Sequence, residues 1–231
     1  MTLPELPTEL WIHIINDLGS CEWPSAYHLP PGSYNALSRL CLANRSMNEL
    51  VEPTLYARIC IYPDRLEHFS RLIGGMNENR VRKRVNQRTT KRAKMVKSLT
   101  LFDFEDTKNN LLHIGSILFA VRFNLTRLLL DLASTQKNRS KSIQSFETVL
   151  RSLHNIEECC FPSPYGPYNG PILATSALRL RRLMTVHMYT DQAIDVVRGL
   201  PTLESLILAF PVFTGDEDFT NGIFPGGSRT G

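Results

Sequence analysis

The sequence lacks the residue groupings that most catalytic and metal centres require. Its five cysteines form no C-x-x-C pair, and its six histidines are scattered singly along the chain. The sequence therefore predicts neither a disulfide framework nor a zinc site. It contains no G-x-x-x-x-G-K phosphate loop, and no set of histidines, cysteines or carboxylates recurs at metal or triad spacing. We accordingly predict no catalytic residue, no metal ligand and no cofactor.

Long apolar runs are also missing. No run reaches the length of a membrane span, and no basic leader precedes an apolar segment at the N-terminus. The odd cysteine count suits a reducing compartment, so we expect a cytoplasmic and/or nuclear protein without membrane contact. The adjacent Cys159 and Cys160 have two glutamates just before them, which would raise a thiol pKa, so core packing is predicted for Cys159.

Residues 6–18 have the periodicity of a helix with more apolar surface than a surface helix needs. Pro7 suits the first turn, Glu9 lies near the positive helix end, and Gly19 follows as a stop. The apolar side chains spread over an arc of roughly 200°, about twice the usual stripe. The residues on this arc are Leu10, Trp11, Ile12, Ile14, Ile15 and Leu18. One interpretation is that the helix simply faces its own core, and the other is that part of the arc contacts another chain.

Residues 34–61 predict further short helices, around Leu37, around Leu50, and from Pro53 through Ile59. Together with the first helix, this segment resembles the F-box family. LPTELWIHIINDL has the family's opening Leu-Pro-x-Glu-Leu, followed by a spaced apolar residue and a closing Leu. LANRSMNELVEPTLYARI is similar to the second half of many fungal members, with their Leu-Val-x-Pro-x-Leu-Tyr.

Three features depart from the family pattern. Met47 stands where Trp or Phe is usual and Ala43 where Val is usual, so both positions bury less area. The insert from Gly19 to Ala36 is longer than the family's typical turn, and its prolines and glycine predict an irregular surface loop.

The resemblance implies binding to the small Skp adaptor, which links F-box proteins to a cullin and a RING subunit. The residues that would contact the adaptor or shape its binding surface are Leu6, Pro7, Leu10, Ile14, Leu18, Leu42, Leu50, Val51 and Leu55. The resemblance also implies that the chain is not an enzyme and has no cofactor. Its implied function is that of the substrate-recognition adaptor of an SCF-type ubiquitin ligase, binding an unknown protein substrate.

Five later segments share the pattern apolar-x-x-apolar-x-apolar, which predicts short strands. They begin at Val96, Leu125, Ile156, Leu180 and Leu203, so successive starts lie 29, 31, 24 and 23 residues apart. Helical patterns occupy 109–123, 142–154 and 191–200 between them. This period is close to that of leucine-rich repeats and predicts a curved solenoid with a parallel inner sheet. Because the repeat is irregular and lacks the Asn or Cys that usually follows the strand, a generic α/β layer is the alternative.

Nine basic residues and no acidic residue lie between Arg80 and Lys97. Like charges repel, so one interpretation is a solvated linker. The other is a nuclear import signal or a patch for acidic partners. The residues that would form it are Arg82, Lys83, Arg84, Lys91, Arg92 and Lys94. The stretch contains no aromatic residue, so stacking on nucleic-acid bases is not expected.

The predicted fold class is α+β, with an N-terminal three-helix F-box followed by an α/β leucine-rich-repeat-like solenoid. The F-box is expected over 1–62 with an inserted loop at 19–36, a helical and basic linker over 63–95, the repeats over 96–213 and a poorly ordered tail over 214–231. The last strand-like unit has no capping unit after it, which is typical of a truncated solenoid. The alternative functions are those of an F-box-like scaffold outside any ligase and of a basic nucleic-acid-binding protein.

Overall fold

A computed structural model of the chain describes residues 6–20, 31–74, 87–133, 141–162, 172–173, 179–185, 194 and 197–208. Residues 21–30 of the predicted inserted loop, the cluster Arg82, Lys83 and Arg84, and the predicted tail over 214–231 lie outside the described residues. The loop prediction is wrong for residues 31–36, which are helical because Pro31 suits the first turn of a helix. The predicted helix over 191–200 lies partly outside them, and its described residues 194 and 197–199 are helical.

Three helices form a small N-terminal helical unit. They are α1 (Thr8–Gly19), α2 (Pro31–Ala43) and α3 (Arg45–Ala57). Asn44 caps the start of α3, because its side-chain oxygen accepts a hydrogen bond from the Met47 backbone N–H at 2.8 Å. The helices predicted over 6–18 and around Leu37 are confirmed.

The prediction of a separate helix from Pro53 through Ile59 is wrong. Pro53 lies inside α3, which continues through it at the cost of one backbone hydrogen bond. Val51 and Leu55 on either side of the proline pack against the same cluster, and this tertiary packing holds the helix together. Ile59 belongs to the first strand of the sheet, which the sequence did not predict.

The rest of the described chain builds a six-stranded parallel sheet in which strand order follows chain order. The strands are β1 (Arg58–Ile61), β2 (Ser98–Glu105), β3 (Arg127–Ala133), β4 (Glu158–Phe161), β5 (Arg182–Thr185) and β6 (Ser205–Leu208). Between β1 and β2 lie a 3-10 turn (Pro63–Arg65), helix α4 (Leu66–Phe69), which continues as a π turn (Ser70–Gly74), and helix α5 (Gln87–Met95). Helices α6 (Lys108–Val121) and α7 (Lys141–Arg151) follow β2 and β3. All five predicted strands are present, so the expectation of a mixed fold with a parallel sheet is confirmed.

One face of the sheet packs against these helices and forms the main core. A row of side chains crosses all six strands in register: Ile59, Leu99, Leu128, Cys159, Leu183 and Leu206. Helices α6 and α7 cover it with Ile114 and Phe146, among others. Leu66, Ile73 and Ala93, from the region predicted as a linker, belong to the same core.

Backbone carbonyls just before the strands connect neighbouring repeats by hydrogen bonds. They lie at the rim of the sheet where the parallel strands begin. We call the carbonyls of Lys97, Thr126, Glu157 and Arg181 the rim carbonyls. Each accepts two consecutive backbone N–H groups from the next repeat, at distances between 2.7 and 3.1 Å. The N–H groups of Thr126 and Arg127, for example, both donate to the Lys97 carbonyl. The rim carbonyls recur at the same spacing as the predicted strand starts. The repeating sequence pattern therefore corresponds to a repeating structural unit.

Candidate partner-binding surfaces

Helix α1 divides its apolar side chains between a core and the surface. Ile15 is buried against Leu37 and Val51 in a cluster separate from the main core. Trp11 and Leu18, one turn to either side of Ile15, are partly buried in the same cluster. The core of the helical unit therefore covers only the middle of the arc that the sequence predicted, and the two ends of the arc stay exposed.

The remaining apolar residues of α1 lie at the surface. Leu10 and Ile14, spaced one turn apart on α1, are both exposed, and so is Leu6 just before the first residue of the helix; Leu10 has 47% of its surface accessible. We call these three residues the α1 apolar face. Ile12 is 42% exposed, but it lies two residues from Leu10 and therefore on the other side of the helix. Exposed aliphatic side chains one turn apart, such as Leu10 and Ile14, are the pattern by which a helix binds a groove on another protein.

The predicted adaptor-contacting residues fall into two groups in the structure. Pro7 and Leu42 are exposed together with the α1 apolar face. Leu18, Leu50 and Leu55 are partly buried in the helical cluster. Val51 is completely buried there, so in the isolated chain it is a core residue and not a surface residue. Burial of Val51 follows from its position one turn before Leu55 on the inner side of α3.

Part of the basic stretch is a helix docked on the helical unit. Lys91 and Arg92 of α5 bind the carboxylate of Glu52 on α3, with Lys91 Nζ 3.2 Å from Oε2 and Arg92 Nε 3.0 Å from Oε1. Arg92 also lies over the ring of Tyr56 at 5.1 Å from its centroid. The interpretation as a solvated linker is therefore wrong for Arg92, whose side chain is only 29% exposed and pairs with a buried carboxylate, whereas Lys91 remains 57% exposed.

Glu52 is only 8% exposed, and its titration reflects both its burial and its partners. Burial by itself would raise the pKa of this carboxyl. Hydrogen bonds from Arg92 and Lys91, together with their charges, outweigh burial and hold the pKa below its usual value. Glu52 is thus ionised at neutral pH and bridges two segments of the chain. The neighbouring Tyr56 has a raised pKa, and burial is the main cause.

The sheet face opposite the helices has a charged row and an apolar patch. Glu158 on β4 is buried between Arg127 on β3 and Arg182 on β5, with a nitrogen–oxygen distance of 2.9 Å to each. Next to this row, Leu129 and Cys160 form a buried cluster, and partly buried Phe102 and Met184 pack against it.

Both adjacent cysteines are buried, on opposite faces of the sheet. Burial raises the pKa of Cys160 to about 12 and raises that of Cys159 still further. The prediction that Cys159 packs in the core is confirmed.

No family model matches this chain, and no curated protein matches it in sequence. Within the described ranges, no helix is both long and apolar enough to cross a membrane. The same residues hold no group of three or more potential metal ligands.

Proposed function

We propose that this chain is a substrate-recognition adaptor of an SCF-type cullin-RING ubiquitin ligase, with helices α1 to α3 as an F-box and the parallel sheet as a leucine-rich-repeat-like unit. In this function the helical unit binds the Skp adaptor and the repeats bind a protein substrate. The chain itself supplies no chemistry. It raises the effective concentration of the substrate near the transferring enzyme.

The observation that carries the proposal is the α1 apolar face. Leu6, Leu10 and Ile14 are exposed although Trp11, Ile15 and Leu18 already supply the core contacts of the same helix. The core contacts of α1 do not require these three exposed side chains. If a partner buried them, each side chain would contribute about 1.5 to 3 kcal/mol to binding. Association costs several kcal/mol, so net affinity would depend on all three residues. The Leu-Pro-x-Glu-Leu motif that begins at Leu6 makes the Skp adaptor the expected partner.

The sheet supports the second half of the proposal. Its six strands follow one another in chain order and its rim carbonyls recur with the sequence period. Repeats that contact only their neighbours produce an extended binding surface, as a substrate-recruiting unit requires.

The test is binding of the purified full chain to the purified Skp adaptor. Leu10→Asp should weaken binding at least about a hundredfold, roughly 2.7 kcal/mol, since a carboxylate would be forced into an apolar contact. The thermal unfolding midpoint should change little, because Leu10 is already half exposed.

Ile12→Asp is the matched control, with the same substitution at similar exposure on the same helix. It should leave adaptor binding within about threefold of the wild type, a difference below 1 kcal/mol. Equal loss of binding in the two variants would show that the α1 apolar face is not the contact. Retained adaptor binding without capture of a cullin would favour the scaffold alternative.

A further inference from the structure

A cleft of about 550 Å³ lies between the helical unit and the rim of the sheet. The end of α1 contributes Asn16 and Ser20 to it, and the end of α3 contributes Thr54. Arg58 at the start of β1, and Lys97 and Arg127 near the starts of β2 and β3, line the opposite side. The volume falls within the range of small-molecule sites, roughly 300 to 1,000 Å³.

The cleft is positively charged. Arg58, Lys97 and Arg127 line it, and none of its described lining residues is a carboxylate. Neither Arg58 nor Lys97 forms an ion pair with a described residue, whereas Arg127 shares Glu158 with Arg182. The Arg58 guanidinium is partly buried, and its Nη1 has no hydrogen-bond acceptor among the described residues. A partly buried cation without a counter-charge is costly, and a bound anion would lower that cost.

The helix ends at the cleft do not cancel this charge. Helices α1, α3 and α5 all end there, and the carbonyl end of a helix has a partial charge of about −0.5. The three helix ends together contribute about −1.5, whereas Arg58 and Lys97 contribute +2 even when Arg127 is counted as neutralised by Glu158, so the sum stays positive. The balance in the cleft therefore favours an anion.

A second cleft on the same rim provides an internal comparison. It has a volume of about 570 Å³ and is lined by Glu157, Arg179, Arg181 and Glu204, among others. Its charges are balanced, and Arg181 binds Glu204 with a nitrogen–oxygen distance of 2.5 Å. An unpaired positive charge is thus a property of the first cleft and not of the rim in general.

We propose that the cleft between the helical unit and the sheet rim binds the phosphate group of a small molecule. Arg58 and Lys97 are two cations without an ion pair beside the partly neutralised Arg127, and guanidinium groups bind phosphate oxygens in pairs, so the lining favours a phosphate over a single carboxylate. The described lining contains no aromatic residue, so the site is not built to stack a nucleobase. Because residues of both units line the cleft, the bound phosphate would join the helical unit to the sheet. This site lies away from the α1 apolar face and does not depend on the proposed function.

The experiment titrates the full chain with sodium phosphate, sodium pyrophosphate and glycerol 3-phosphate, each compared with sodium chloride at equal ionic strength. Calorimetry should show saturable binding, and at about a hundredfold the Kd the unfolding midpoint should rise by about 5 °C or more. Tighter binding of glycerol 3-phosphate than of phosphate would identify a phosphate ester as the ligand class. Tighter binding of pyrophosphate would identify an inorganic polyphosphate.

Arg58→Gln should weaken binding of the best of these probes at least about tenfold, because a charged hydrogen bond is lost. Lys97→Gln should weaken it about fivefold. This exposed substitution keeps the proposal testable if Arg58→Gln does not fold. Arg181→Gln, in the charge-balanced cleft, should leave the affinity unchanged. The proposal is overturned if no probe gives saturable binding beyond chloride, or if Arg181→Gln weakens binding as much as Arg58→Gln.

Discussion

At the scale of single residues, a carboxylate buried between two helices loses most of its hydration and must be compensated by charged partners. Glu52 has such partners in Lys91 and Arg92, which are 39 and 40 residues away in sequence. The Arg92 side chain is itself partly buried, so its pair with Glu52 is less screened than an exposed surface pair. The contact fixes α3 of the helical unit against α5, whose Ala93 is buried in the main core.

The stability effect of Glu52 should depend on pH. Because the folded-state pKa of Glu52 is lowered, its contribution is complete above the unfolded pKa of about 4.3 and is lost as pH falls through the folded pKa. Glu52→Gln should therefore reduce the free energy of unfolding by about 1 to 2 kcal/mol at pH 7, and the difference should narrow below about pH 4. Urea unfolding at pH 7 and at successively lower pH measures both quantities.

Glu49→Gln is the matched control on the same helix, since Glu49 forms a solvent-exposed pair with Arg45. It should change the free energy of unfolding by less than about 0.5 kcal/mol. A Glu52→Gln penalty that stays constant across the acid range would contradict the ion-pair account and leave only a packing effect.

The sequence could not have predicted this pair. Glu52 stands in a segment whose apolar residues predict only helices, and the charge of the basic stretch predicts only a linker, an import signal or a patch for acidic partners. Nothing in either segment indicates that the two meet, because the contact depends on how α5 packs against α3, and the two residues of each pair lie 39 and 40 positions apart in sequence. The exposure of Leu10, in contrast, follows from helical spacing, since the helical cluster covers only one side of α1.

At the scale of elements, α5 separates the predicted import signal into two parts. Lys91 and Arg92 are bound to Glu52, whereas Lys83 and Arg84 lie outside the described residues. If the stretch is an import signal, Lys83→Ala with Arg84→Ala should move a fluorescent fusion from nucleus to cytoplasm without lowering its unfolding temperature. Fluorescence microscopy and thermal unfolding of the same variant measure the two effects.

Lys91→Ala with Arg92→Ala is the contrasting variant. It should lower the unfolding temperature, by about 2 to 8 °C for a loss of 1 to 2 kcal/mol, because Glu52 would remain buried without a partner. An unchanged distribution in the first variant would exclude the import signal at Lys83 and Arg84. An unchanged unfolding temperature in the second would show that the contact with Glu52 does not stabilise the chain.

Strand β1 has a sequence pattern that is typical of a helix and not of a strand. Ile59 follows Leu55 by four residues and Tyr56 by three, and this spacing predicts a helix that starts at Pro53. The chain instead leaves α3 at Ala57 and pairs Arg58–Ile61 with β2. The later strands were recognisable because each repeats the same short pattern, whereas β1 has no preceding repeat with which it could be compared.

At the scale of the whole molecule, the sheet is a stack in which each strand pairs only with the strands next to it. Core substitutions in one row should therefore become less costly toward the last described strand. Leu128→Ala on β3 removes a fully buried side chain flanked by two strands and should cost about 2 to 5 kcal/mol. Leu206→Ala, in the same row on β6, removes a partly buried side chain and should cost less than about 1.5 kcal/mol.

Urea unfolding of the two variants measures this difference. If both variants lost a similar free energy of unfolding, Leu206 on β6 would be as fully packed as Leu128 on β3, which would contradict the partial exposure of Leu206. Unfolding of the Leu206→Ala variant in two phases would show that the last described strands unfold before the others. This outcome is expected when each repeat is stabilised mainly by contacts with its neighbours.

The rim carbonyls also bear on how this chain can change in length. Each rim carbonyl fixes the register of the next strand at one point, because it accepts two consecutive N–H groups. The segments between these points already differ in length, since successive strand starts lie 23 to 31 residues apart. A residue gained or lost at the rim would turn every side chain of the strand to the opposite face. A residue gained or lost on the helical side would lengthen or shorten one connection and leave the sheet in register. Insertions and deletions can therefore accumulate between rim carbonyls over generations, so that new outer surface is acquired without a new fold.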